Sequence, residues 1–106
     1  MSVEKKRETT FGVPPPQLFG AVQRYVANHA RDYTKTDENA AALELRVALH
    51  PGFFAYNGAV HFVVAPSEAG SQLTVEVRSS PLFVVDWLHF WERYLVHVTD
   101  GIRALL

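Results

Sequence analysis

Cysteine is absent from this chain of 106 residues, and with it go disulfides, thiolate metal sites and cysteine nucleophiles. Long apolar runs are absent too, since none approaches the ~18 residues of a membrane-spanning helix. The opening segment, Met1 to Glu8, has no apolar stretch of the signal-peptide kind, so a cytoplasmic location is the expectation. Clustered positive charge is scarce. The formal net charge is -1 and the sequence pI is near 6.5, whereas binding a phosphate backbone draws on grouped Lys and Arg. The one basic run, Lys5-Lys6-Arg7, is flanked by Glu4 and Glu8 and reads as a solvated strand face; no nucleic-acid partner is expected.

Catalytic and cofactor motifs are missing as well. Gly12, Gly20, Gly52, Gly58, Gly70 and Gly101 never fall into a phosphate-cradling loop, and no Gly-x-Ser-x-Gly elbow is present. The histidines are His29, His50, His61, His89 and His97. His89 and His97 lie ~12 Å apart along a helix, too far to share an ion, and His50 and His61 have no further ligands beside them. If Phe62 pairs with Val75, His61 falls opposite Glu76 on an open sheet face, which suits a surface ion pair and gives an acid–base dyad no cleft. Asp86, His89 and Arg93 are ordinary helix neighbours. No metal site, no cofactor and no enzymatic activity are expected.

What is present is a globular composition, 48% hydrophobic and 20% charged, in a length suited to a single domain over residues 1–106. Residues 4 to 13 form a mostly polar edge strand with Thr9, Phe11 and Val13 on one side, stopped by Pro14. A helix begins near Pro15, where a missing N–H costs nothing, and ends near Ala30, with Leu18, Val22, Tyr25, Val26 and His29 on one face. A short strand around Tyr33 precedes a turn at Thr36-Asp37-Glu38-Asn39. Clear alternation follows in Leu43, Leu45, Val47 and Leu49, then in Val60, Phe62 and Val64, then in Leu73, Val75 and Val77. The last two strands are joined through Ala65 to Ser71. Between the first two, either Pro51-Gly52 or Asn57-Gly58 can make the turn; Asn-Gly is the stronger tight-turn signal, which favours a kink at Pro51-Gly52 and a turn between Ala55 and Gly58. The fold class is α+β: an antiparallel sheet of four to five strands with two helices packed on one face, in the order β-α-(β)-β-β-β-α.

The final helix, Pro81 to Leu106, carries two apolar stripes. Leu88, Trp91, Leu95, Val98, Ile102 and Leu105 recur at steps of three and four, and Phe83, Trp87, Phe90 and Tyr94 lie roughly 100° around the cylinder. One stripe is buried by one sheet. The second either fills the gap between the helix and a strongly curved sheet, as core, or needs a ligand or a partner chain. Leu45, Val47, Phe62, Val75, Trp91 and Leu95 are the expected core.

The run Thr74-Val75-Glu76-Val77-Arg78-Ser79-Ser80 leading into Val85-Asp86-Trp87, followed by a long carboxy-terminal helix, resembles small bacterial domains of β-α-β-β-β-α order. These are similar in layout to a reduced helix-grip fold of the START and Bet v 1 (SRPBCC) type, and the similarity covers roughly residues 53–106. Where those domains place a Gly and an Asn after the Asp, this chain has Leu88, His89 and Phe90. The resemblance implies no reaction; it implies that an apolar ligand can be held between sheet and helix. Two functions follow. In the first, Phe83, Trp87, Phe90 and Tyr94, with Phe54 and Tyr56 at a hairpin tip, form the surface of a non-enzymatic interaction module that binds a protein partner or a second copy. In the second, the aromatic set lines a pocket with Phe19, Tyr25 and Phe62, and the polar tips of Tyr25 and Tyr94 orient a small apolar ligand.

Overall fold

The computed structural model describes residues 3–49, 57–80 and 90–106. Its elements run β1 (Val3–Phe11), α1 (Pro15–Asn28), β2 (Tyr33–Asn39), β3 (Glu44–Leu49), β4 (Asn57–Ser67), β5 (Gly70–Ser80) and α2 (Phe90–Arg103). The strands form one antiparallel sheet in the order β1-β5-β4-β3-β2. The first strand therefore closes against the last, and β1 and β2 are the two edges. Among the described residues no helix is long and apolar enough to cross a membrane.

Period-two alternation sets which face is covered. Leu45, Val47 and Leu49 of β3, Val60, Phe62 and Val64 of β4, and Leu73, Val75 and Val77 of β5 are all buried on the face that the helices cover. From α1 come Leu18, Phe19, Ala21, Val22, Tyr25 and Val26; from α2 come Tyr94, Leu95, Val98 and Ile102. Of the six residues expected in the core, Leu45, Val47, Phe62, Val75 and Leu95 are there, and the Trp91 side chain lies outside the described residues. The opposite face carries a polar lattice, in which Arg78 Nε meets Glu76 Oε1 at 3.0 Å and Glu4 Oε1 at 3.3 Å.

Local chemistry explains the turns. Pro14 caps α1 with its carbonyl, which accepts from the N–H groups of Gln17 (3.0 Å) and Leu18 (3.2 Å), and Pro15 occupies the first helical position. Pro66 stands in β4 beyond the last residue that pairs with β3, where its missing N–H breaks no ladder. Gly70 closes the β4–β5 hairpin at φ 136°, and a Cβ there would meet backbone atoms of Phe11 and Val13 at 2.8–2.9 Å. Gly101 lets the two helices approach, since a Cβ would come within 2.5 Å of the Tyr25 ring.

Four expectations about the strands are corrected. Thr36 to Asn39 are not a turn: β2 runs on to Asn39, with a bulge between Lys35 and Asp37, because an edge strand is held by backbone pairing and needs no apolar side chains. The turn falls after it, where Asn39 Oδ1 accepts from the Ala42 N–H at 3.1 Å and Leu43 adopts φ 57°. Leu43 therefore ends a turn instead of opening the strand. Asn57 and Gly58 already pair with Ser80 and Ser79 in β4, so any turn lies before them; Pro51-Gly52 is outside the described residues. The β4–β5 hairpin is tighter than Ala65 to Ser71, since Ser67 pairs directly with Gly70.

Candidate functional site

Tyr25 projects from the last turns of α1, Tyr33 opens β2 and Tyr94 stands in the first turns of α2, so three separate elements bring three phenols together. Their residues are 3%, 6% and 8% exposed, which places the hydroxyls inside an otherwise apolar interior. The Tyr33 and Tyr94 hydroxyls are hydrogen-bonded, and Tyr33 also bonds Tyr25, whose ring centroid lies 6.3 Å from its own. The Tyr25 ring packs against His29 at 4.2 Å between centroids, and His29 Nδ1 donates to the Tyr25 carbonyl oxygen at 2.8 Å. The imidazole is thereby fixed against the back of the cluster.

Burial dominates the electrostatics of these groups. All three phenols are pushed above the ordinary tyrosine range, first by desolvation. For Tyr33 the neighbouring Tyr94 and Tyr25 raise it further, and for Tyr25 and Tyr94 the negative charge of Asp32 adds to the rise while the hydrogen bond to Tyr33 opposes it. The cluster is therefore a neutral array of hydroxyls that can donate and accept, with a carboxylate nearby.

A groove of about 400 Å³ lies between α1 and the β2 edge, and of the three phenols Tyr33 alone lines it. Its floor is Val26, Ala27, Ala30 and Leu45, and Tyr33 is one wall. Polar groups rim it: Gln23 Nε2 donates to Glu38 Oε1 at 3.0 Å, and Lys35 Nζ lies 3.6 Å from Glu38 Oε2. Lys35 and Glu38 pair in register with Val47 and Leu45, so they point to the covered side, a device that also discourages the edge strand from accepting a partner.

The expected site residues divide sharply. Phe83, Trp87, Phe54 and Tyr56 lie outside the described residues, as does the side chain of Phe90 in the first turn of α2. Tyr94 is buried in the core cluster that also holds Tyr25, which corrects the expectation that it is exposed on a single chain. The Tyr25 and Tyr94 hydroxyls both bond Tyr33, a residue that the helical stripes do not reveal. Its signal is faint, an aromatic eight positions beyond Tyr25 that opens an otherwise polar strand. The outer face is also rearranged. His61 does lie opposite Glu76 in register, but its Nε2 points to Glu44 Oε1 at 3.8 Å, because Glu76 is taken by Arg78.

No sequence-family model matches the chain, and no curated protein does. Solved structures do resemble it. Ara h 8.0201, of the Bet v 1 family, superposes with a TM-score of 0.73 at 11% identity, covering 99% of this chain and 95% of that one. Protein MLL2253 from Mesorhizobium loti gives 0.68 at 14% identity, over 97% and 96% of the two chains. TTHA0849 from Thermus thermophilus gives 0.58 at 10%, over 99% and 96%. The chain thus has an α+β fold of the helix-grip kind, with a five-stranded antiparallel sheet and two helices among the described residues. At such identities the likeness concerns the fold, and function has to come from the site.

Proposed function

We propose that this protein is a non-enzymatic carrier or sensor for a small, largely apolar molecule bearing one polar group. The apolar part lies against Tyr33 and the floor of the α1–β2 groove, and the polar group meets the phenol cluster. The gathering of Tyr25, Tyr33 and Tyr94 carries this reading. Three phenylalanines would fill the same space without three hydroxyls to satisfy, and buried hydroxyls add no stability unless every one is bonded. A neutral donor-and-acceptor array within apolar walls is the usual arrangement by which a pocket orients a ligand, and the helix-grip layout is one in which apolar ligands are often held between sheet and helix.

Prodan, a neutral naphthyl ketone with polarity-sensitive emission, is a suitable probe. Saturable one-to-one binding with blue-shifted emission is expected, weakened by Tyr94→Phe and by Ala27→Leu, which fills the groove from an exposed helix position without touching the core. Absence of saturable binding, or affinity unchanged in both variants, refutes the assignment. Sedimentation of the same samples tests the interaction-module alternative, for which a stable dimer that dissociates on Trp87→Glu is the expected sign.

A further inference from the structure

A second concave site lies beside α2, away from the α1–β2 groove. Between the β1 edge and the helix is a groove of about 550 Å³ lined by Lys6, Arg7, Glu92, Arg93 and Val96. The basic run of β1 is therefore not simply a solvated face. Arg7 pairs in register with Val75 and so shares the helix-covered side with Phe11, which brings its guanidinium toward α2.

The charges around this groove do not cancel. Lys5 Nζ stands 3.6 Å from Glu92 Oε1, and Lys6 Nζ stands 3.5 Å from Glu8 Oε1, so Lys6 and Glu92 are each compensated. Arg7 and Arg93 have no hydrogen-bond or ion-pair partner among the described residues. Two uncompensated guanidiniums thus converge on one concavity in a chain whose net charge is -1. Beside them Val96 is 39% exposed, one of two large apolar residues so exposed among those described.

We infer that this groove binds a phosphate monoester attached to an apolar group. Two guanidinium forks match the two negative charges of such a phosphate and can each hold its oxygens bidentately, whereas a carboxylate would neutralise only one of them. Val96 supplies the surface for the apolar part. The site is separate from the phenol cluster, lies against a different strand and does not depend on the function proposed above.

The same chemistry is offered by a soluble ester and by an anionic lipid headgroup. Isothermal titration with phenyl phosphate, and cosedimentation with phosphatidylcholine vesicles containing phosphatidate, tell the two apart. Wild-type protein is expected to bind at least one of them, with affinity falling as salt is raised. Arg7→Gln and Arg93→Gln should each weaken binding about tenfold, the loss expected for one charge-assisted contact. Both residues are exposed, and thermal unfolding close to that of the wild type confirms that the variants are folded. Binding by neither probe, or binding undiminished in the double variant, overturns the inference. Arg46→Gln, which removes a basic residue exposed on the open face of the sheet, is the control and should leave the affinity unchanged; an equal loss there would mark general charge attraction and overturn the site.

Discussion

Two stretches of the same interior, both beneath α2, are built on different terms. From Leu95 onward the helix buries Val98 and Ile102 at 0% exposure beside Leu18 and Val22, and the one polar side chain it buries there, Thr99, returns its hydroxyl to the Leu95 carbonyl at 2.7 Å. One residue earlier, at Tyr94, the interior turns polar and gathers three phenols from three elements. Packing accounts for the first stretch completely. It accounts for the rings of the second but not for its hydroxyls, and that surplus is what separates a core from a candidate site.

The largest effect should come from the packed stretch. Ile102→Ala removes a fully buried side chain between the two helices and the sheet, and should cost about 2–5 kcal/mol in chemical denaturation. For a domain of this size that is a large share of the total stability. A loss below about 1 kcal/mol would mean that the interior can collapse around the gap, and the contrast between a rigid core and a polar end would fail.

Tyr33→Phe comes next. It removes the hydroxyl that joins the other two, leaving Tyr25 and Tyr94 buried with a missing partner, and should cost about 1–3 kcal/mol. A neutral or stabilising result would show that the other two hydroxyls do not depend on Tyr33, and the contrast between the two stretches would fail.

Alkaline titration probes the same cluster without mutation. Each of the three phenols is raised in the fold above the ordinary tyrosine value of 10.0, so the folded state holds the phenolic proton more tightly than the unfolded chain does. That contribution is complete below pH ~10 and is lost as pH rises beyond it. Tyr33 and Tyr94, which are raised furthest, should therefore stay protonated as the pH passes the ordinary value of 10.0 while the fold persists, and should appear together on unfolding. Tyrosinate absorbance followed alongside circular dichroism checks this, and ionisation of three or more of the four tyrosines before unfolding would show that water reaches the cluster.

Most of the sheet is legible in the sequence because β3, β4 and β5 each have one covered and one open face, which writes their geometry as alternation. β2 is illegible for the opposite reason. Tyr33 is its one buried residue, and its remaining positions are exposed on both faces, so Thr36-Asp37-Glu38-Asn39 carries turn-forming side chains in a strand defined by backbone pairing alone. The phenol cluster is half legible. Tyr25 and Tyr94 stand out on helical stripes, but a third member at a strand's first position has no periodicity to announce it. Likewise, the parity that turns Arg7 toward α2 becomes meaningful only once β1 is known to pair with β5.

The smallest effect is expected on the outer face, and it serves as the control for the phenols. His61 is half-buried there, its Nε2 is 3.8 Å from Glu44 Oε1, and that nitrogen has no hydrogen-bond partner among the described residues. The nitrogen itself is covered, but at 3.8 Å the contact is beyond hydrogen-bond reach and joins two partly exposed side chains, so it gains little from Coulomb attraction and is screened by salt. His61→Ala should therefore change stability by less than about 1 kcal/mol at neutral pH, and Glu44→Gln by no more. If either change costs as much as Tyr33→Phe, polar groups on the two faces of the sheet are equally consequential, and the burial that distinguishes the phenol cluster no longer explains its cost. If both are near neutral while Tyr33→Phe is not, the difference is set by desolvation inside the helix-covered face, where a ligand's polar group would have to replace what water cannot supply.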